Sequence, residues 1–370
     1  MSNKDQWLLP EGIEEVLPPE AWRLECARRE ILDLFSSWGY ELIMPPFIEY
    51  LESLLTGTGN DLDLQTFKLT DQLTGRMMGV RADMTPQAAR IDAHPLKRDV
   101  PSRLCYVGTV LRTRPDGFSG TRSPLQVGAE LFGHAGIESD VEILNLVLES
   151  LSVMGVTEVH MDLGHVGIFR ALAADAGLDD QQETALFDAL QRKASTEIAE
   201  ILAASRATED QCRRLACLAE LNGGHEILAT ARESLAGAGS EVMAALDNLC
   251  AIADAMHHSR ADTVLFFDLA ELRGYNFHTG MVFAVFVPGR GQEIARGGRY
   301  NDIGKVFGGA RPATGFSMDL KTLDDLGARE YGSPDGAIFA PADADPVLLA
   351  TVRALRAAGE RVLFALPGQQ

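Results

Sequence analysis

Two segments concentrate groups that bind small polar ligands: Glu271-Leu-Arg-Gly-Tyr-Asn-Phe-His-Thr-Gly280 and, after a short apolar run, Ala295-Arg-Gly-Gly-Arg-Tyr-Asn301. Arg273 offers a planar fork for a carboxylate, Tyr275 and Tyr300 offer hydroxyls, and the glycines beside them let backbone approach a ligand. His278 adds an imidazole, but a lone histidine is more often structural or exposed, and it is assigned no catalytic role. In Arg81-Ala-Asp-Met-Thr85, Asp83 and Thr85 suit an ammonium group, because a charge-assisted bond to a carboxylate is stronger than a neutral one. The same pair equally suits an ordinary helix N-terminus, with either residue as the cap. In Gln126-Val-Gly-Ala-Glu130, the outer residues lie four apart on one strand, hence on one face, where an amide and a carboxylate can hold an ammonium and an imidazole N–H. On their own they read as a solvated strand face. Taken as one set, Asp83, Gln126, Glu130 and Arg273 supply acids for an ammonium and an imidazole, and an arginine for a carboxylate.

The elements that would position them read as an α+β arrangement. Trp22, Cys26, Ile31, Leu32 and Phe35 fall near helical spacing and predict a helix from Pro19 to Trp38, ended at Gly39. Tyr40 to Met44 reads as a strand stopped by Pro45 and Pro46, which cannot continue a ladder. Thr66 to Thr70 and Arg76 to Arg81, joined by a turn at Asp71 to Gly75, read as a β-hairpin, and Pro86 suits the first turn of the helix that follows. Strands are expected at Leu104 to Leu111 and Leu125 to Gly133. From Val166 to His258 the chain is rich in Ala, Leu and Glu without strand alternation, a helical insertion. Strands return at Thr263 to Leu269, Met281 to Val287 and Gln292 to Arg296, and Thr314 to Leu323 follows. Gly336 to Ala340, a helical stretch Pro346 to Ala358 and Arg361 to Ala365 form a βαβ-like unit.

Composition narrows the class of protein. With 370 residues, 46% hydrophobic and 23% charged, the chain can bury a full core in two or three domains. No apolar run reaches bilayer length and the start lacks the order of a signal peptide, so a cytoplasmic address without membrane contact is expected. Cys26, Cys105, Cys212, Cys217 and Cys250 show no Cys-x-x-Cys pairing, so neither a metal site nor a disulfide framework is indicated. The 33 Lys and Arg against 53 Asp and Glu give a net charge of −20, which opposes a nucleic-acid role, since an RNA backbone needs a basic face. No internal repeat or low-complexity tract supports a scaffold.

The two opening segments resemble the histidine-pocket signatures of histidyl-tRNA synthetases, a branch of the class II aminoacyl-tRNA synthetases. The first signature is typically Arg-Gly-Leu-Asp-Tyr-Tyr-Thr-Gly; this chain keeps Arg273, Gly274, Thr279 and Gly280, with Phe277 and His278 in place of paired tyrosines, and Tyr300 matches in the second. Arg81 to Thr85 stands where the family has Arg-Pro-Glu-Gly-Thr, whose acid binds the amino group of histidine. The helix, Gly-Tyr, strand and proline near Trp38 to Pro46 look like motif 1, the dimer-building element. Leu111-Arg-Thr-Arg-Pro115 resembles motif 2, in which Arg112 matches the arginine for the α-phosphate of ATP, though the glutamate beside it is missing. At Gly315-Phe-Ser-Met-Asp-Leu-Lys-Thr-Leu323, motif 3 is altered: Asp319, Lys321 and Thr322 replace its glycine, glutamate and adenine-stacking arginine. Loss of that fork, with a carboxylate added, opposes ATP binding.

A retained pocket, altered motifs 2 and 3 and only a first portion of an anticodon domain resemble the family of regulatory subunits of ATP phosphoribosyltransferase. The resemblance implies a class II synthetase-like antiparallel sheet flanked by helices over residues 1–325, with the insertion at about 166–258, and a partial anticodon-domain-like segment over 326–370. It further implies a chain without catalysis or cofactor of its own, self-associated as a dimer and bound to a short-form catalytic subunit. That complex would carry out the first step of histidine biosynthesis under feedback by free histidine, with no specific tRNA. An active histidyl-tRNA synthetase and a stand-alone histidine-binding protein remain the alternatives.

Overall fold

The computed structural model describes residues 7–55, 60–115, 120–271, 274, 277–301, 311–327, 329, 331 and 336–366. Helix α1 (Glu20–Ser37) buries Leu24, Ala27, Ile31 and Phe35, one stripe at helical spacing. It stops where Gly39 adopts φ +81°, a left-handed conformation open to glycine, and Tyr40 N–H returns to the Phe35 carbonyl at 2.9 Å. The strand beyond it, β1 (Glu41–Leu42), is only two residues long, because the chain then reaches Pro45 and Pro46.

The hairpin expected at 66–81 forms, but in a separate small sheet. Strands β2 (Ile48–Tyr50), β3 (Phe67–Thr70) and β4 (Met77–Val80) pair in the order β2-β4-β3, with α2 (Leu51–Leu54) and α3 (Asn60–Gln65) between the first two. Helix α4 (Thr85–Ile91), with Pro86 in its first turn, then leads to β5 (Ser102–Thr109) and β6 (Leu125–Phe132). Besides β2, α2 and α3, the sequence reading carries no forecast for α5 (Ile137–Val153), β7 (His160–His165) or the π turn at Asp92–Leu96.

The helical layer expected from Val166 is α6 (Val166–Asp175), α7 (Asp180–Gln191), α8 (Ser195–Ala203), α9 (Glu209–Cys217), α10 (Ile227–Ser234) and α11 (Ser240–Ser259). It is not wholly helical, for β8 (Asn222–Gly223) lies within it and pairs with β9 (Val264–Asp268). Strands β10 (Met281–Phe286), β11 (Ala295–Arg299) and β12 (Ala313–Asp319) follow, and α12 (Leu320–Leu326) leaves β12 directly. The expected strand at Gln292–Arg296 is thus displaced to 295–299: Ile294 N–H already bonds to Val285, and the ladder runs on through two glycines opposite β10. A separate unit of β13 (Ile338–Ala340), α13 (Pro346–Ala357) and parallel β14 (Val362–Phe364) gathers Ala340, Val352 and Val362 into a small core.

The main sheet has nine strands in the order β1-β5-β6-β12-β11-β10-β7-β9-β8. It is mixed rather than antiparallel throughout, since β1 with β5 and β7 with β9 are parallel. Parallel neighbours need long crossovers, and both have them: α4 and the small sheet in one case, the helices α6 to α11 in the other. Alternation along β6 assigns its faces. Val127, Ala129 and Leu131 point into the main core with α1 and α5, while Gln126, Gly128, Glu130 and Phe132 face α4 and a second cluster containing Met84, Tyr106 and Tyr300. The second face carries the site.

Candidate functional site

Every residue of the candidate pocket that the structure describes comes from an element edge or a strand interior facing α4. The Asp83 carboxylate accepts from the Thr85 N–H at 2.9 Å and from the Gln126 amide nitrogen at 2.8 Å. Asp83 therefore closes a short turn ahead of α4 and is also joined to β6, but neither it nor Thr85 is the helix cap: that position is Met84, which makes no side-chain cap bond. The other end of the Gln126 amide accepts from the Met84 N–H at 2.9 Å, which fixes its orientation. The Thr85 hydroxyl lies 3.0 Å from the Tyr106 hydroxyl, which donates to Glu130 Oε1 at 2.9 Å, and the Tyr300 hydroxyl donates to Glu130 Oε2. One connected network thus runs from Met84 through Gln126, Asp83, Thr85, Tyr106 and Glu130 to Tyr300.

Gln126 and Glu130 are 3% and 1% exposed, so the solvated-face reading of these two fails. Burial pushes the Glu130 carboxyl up to about 8, against the tyrosine and threonine hydroxyls that favour its ionised form, and the neighbouring Asp83 adds to the rise. Burial, and after it the neighbouring Glu130, raise both tyrosine hydroxyls well above their ordinary value, so Tyr106 and Tyr300 stay protonated donors. Tyr106 was missed from the sequence. Its signal is weak: an aromatic residue on a strand, facing Gly128 across the ladder.

The remaining candidates sit elsewhere. Arg112 reaches the Ala82 carbonyl at 3.4 Å and lines a cleft together with Gln126. His278 packs against Phe277 and near Tyr300, with burial lowering its ring to about 4, so it is a neutral packing group at pH 7. Thr279 accepts from the Asn301 N–H at 3.0 Å, tying the two signature segments together. Arg273 and Tyr275 lie outside the described residues. Arg299 is buried as structure: it meets Asp140 at 3.0 Å and donates to the His134 and Gly136 carbonyls and to Ser139 at the start of α5.

The cleft beside the pocket holds about 540 Å³ and is lined by Arg112, Gln126, Ser317, Asp319, Lys321 and Thr322 among others. Its three altered motif residues are occupied with one another and with the chain. Asp319 caps α12, accepting from the Lys321 N–H at 3.3 Å, from the Leu125 N–H at 2.9 Å and from the Thr322 hydroxyl at 3.0 Å. The Lys321 ammonium donates to the Ser123 carbonyl at 3.0 Å. Among the described residues no group of three or more His, Cys, Asp or Glu side chains could hold a metal ion, and no helix is long and apolar enough to cross a membrane.

This sheet, with its pocket between α4, β6 and β12, is the catalytic-domain fold of class II synthetases of the histidyl type. The family model described as Histidyl-tRNA synthetase matches residues 12–323, and histidyl-tRNA synthetase from Nostoc superposes at TM-score 0.78 over 98% of this chain and 87% of that one, at 18% identity, a likeness of fold. A second family model, ATP phosphoribosyltransferase subunit HisZ C-terminal domain, matches residues 335–370. The ATP phosphoribosyltransferase regulatory subunit of Thioalkalivibrio sulfidiphilus is 63% identical over all of this chain and 93% of its own length; that of Pseudomonas syringae pv. syringae is 58% identical over 100% and 93%. A Bacillus halodurans structure described as an ATP phosphoribosyltransferase regulatory subunit/histidyl-tRNA synthetase superposes at TM-score 0.86 with 27% identity, covering 98% of this chain and 94% of that one. The chain belongs to the family of ATP phosphoribosyltransferase regulatory subunits.

Proposed function

We propose that this chain is a non-catalytic regulatory subunit that joins a short-form ATP phosphoribosyltransferase catalytic subunit in the first step of L-histidine biosynthesis, and that its pocket takes free histidine as the feedback effector. The observation that carries the reading is the pairing of a connected, buried acid and hydroxyl network with a neighbouring cleft whose altered motif residues are bonded to each other. Asp83, Thr85 and Gln126 are the proposed partners of the ammonium group, and Glu130 with Tyr300 those of the imidazole. Arg273 is the proposed partner of the carboxylate.

Synthetase chemistry needs a cation fork over adenine and phosphate, and here the corresponding stretch offers a capping aspartate, a lysine held by a backbone carbonyl and a threonine held by that aspartate. Specific tRNA binding is likewise not proposed, in keeping with the charge of −20. Feedback requires that histidine bind two states of the complex unequally. Residues 1–325 are taken as the pocket domain and 326–370 as the second unit, and dimerisation as the assembly of the subunit itself.

The test combines calorimetry of histidine on the chain with inhibition curves on the reconstituted complex. Arg273→Ala should weaken histidine binding more than Arg273→Lys and raise the histidine concentration that inhibits, while phosphoribosyl transfer without histidine survives. Unchanged inhibition in a variant that no longer binds histidine would place the feedback site on the catalytic subunit. Histidine-dependent pyrophosphate exchange by the chain alone would return it to the synthetases.

A further inference from the structure

Glu130 lies on β6 directly opposite Gly315 on β12, and Tyr106 on β5 lies opposite Gly128 on β6. In both pairs the polar side chain lies flat across its neighbour's strand, over a position that has no side chain. A β-carbon built on Gly315 would fall inside the van der Waals shell of Glu130 Oε2 and 2.6 Å from Glu130 Cδ; one on Gly128 would fall 2.6 Å from the Tyr106 hydroxyl. Neither glycine has a positive φ, so conformational freedom is not what these positions require. Space is.

From this geometry we infer that Gly315 is a positioning residue of the histidine pocket: the vacancy on β12 is the volume in which the Glu130 carboxylate lies, and it sets the height at which the Tyr106 and Tyr300 hydroxyls meet that acid. The inference rests on the histidine reading for its ligand but not for its geometry. Glu130 is the residue that must move when the vacancy is filled, since it is 1% exposed and its two oxygens are held by hydroxyls on opposite sides. An alanine at 315 would drive the carboxylate off the strand and separate it from at least one hydroxyl. The competing reading is purely structural, because the same β-carbon would also lie 2.7 Å from the Ala129 carbonyl oxygen of the paired strand.

The full chain is prepared as wild type, Gly315→Ala, Glu130→Ala and the double variant, and each is titrated with L-histidine by calorimetry and unfolded thermally. Gly315→Ala is expected to weaken histidine binding about fivefold to a hundredfold, the range for leaving a buried hydrogen-bonding group unpaired. Added to Glu130→Ala, it should weaken binding no further, and its Tm loss should be smaller than in the wild-type background. Unchanged histidine affinity in folded Gly315→Ala, or equal Tm losses with and without Glu130, would overturn the inference. If Gly315→Ala folds only when combined with Glu130→Ala, the clash lies with the acid and the inference stands. If neither folds, the backbone contact dominates and the inference falls. A wild-type chain that binds no histidine would remove the ligand reading, while the Tm comparison would still decide the role of Gly315.

Discussion

Replacing Glu130 by glutamine should change how the stability of the chain depends on pH. The buried carboxyl is pushed from its ordinary 4.5 to about 8, so between those values the folded chain holds a proton that the unfolded chain has released. Raising pH then favours unfolding: the contribution is whole below the unfolded value and is lost as pH rises through the folded one. Each pH unit in the window is worth about 1.4 kcal/mol, or about 5 kcal/mol over the whole of it. Glutamine keeps the shape and cannot titrate; it accepts from one tyrosine and donates to the other. Unfolding by urea at pH 5, 6, 7, 8 and 9 measures the difference between the two proteins, which cancels groups common to both. Wild type should lose ground steadily to Glu130→Gln up to about pH 8, beyond which the difference levels off. Two parallel curves would refute the reasoning, and would mean that the acid is ionised throughout in both states.

Other substitutions probe the same framework. Tyr106→Phe removes the hydroxyl between Thr85 and Glu130 and should cost about 1–3 kcal/mol in denaturant unfolding, with weaker histidine binding by calorimetry. Arg299→Met leaves Asp140 buried without its cation and should cost about 3–5 kcal/mol, seen as a lower urea midpoint. Thr322→Arg should yield no histidine-dependent exchange of pyrophosphate into ATP, because Asp319 remains bonded to Leu125 and Lys321 in the same cleft.

The pattern of the sequence carried α1, the small hairpin, β6 and the terminal βαβ unit because each announces itself locally, through helical spacing, a turn with Asp71 and Gly75, or two-residue alternation. It did not carry β7 or α5, whose polar ends and broken periodicity are resolved only by what packs on them. The displacement of β11 has a similar cause: its ladder partner lies at Val282 to Val285, and nothing within Gln292 to Arg299 states where pairing begins. For the site, residue chemistry alone left Asp83 as a possible cap and Gln126 and Glu130 as a possible solvated strand face; it was their complementarity as one set, and the resemblance at Arg81–Thr85 and Tyr300, that pointed to a pocket. Tyr106 escaped because a tyrosine on a strand is ordinary. Its importance depends on Gly128, far along the chain on the paired strand, which no local window contains.

Glu130 and Tyr300, which share a hydrogen bond, stand 170 residues apart in the chain. A ribosome that has just released β6 has therefore made the acid and the strand that bears it long before the hydroxyl that completes its surroundings. Closing so long a loop is slow, although its entropic cost grows only logarithmically with length. Until that closure the acid stays in water with a carboxylate's ordinary affinity for protons. The proton that Glu130 holds in the finished protein is therefore acquired late, when the last third of the sheet docks. Proton uptake followed during refolding at neutral pH is accordingly a clock for the assembly of the pocket, separate from the earlier signal of helix formation.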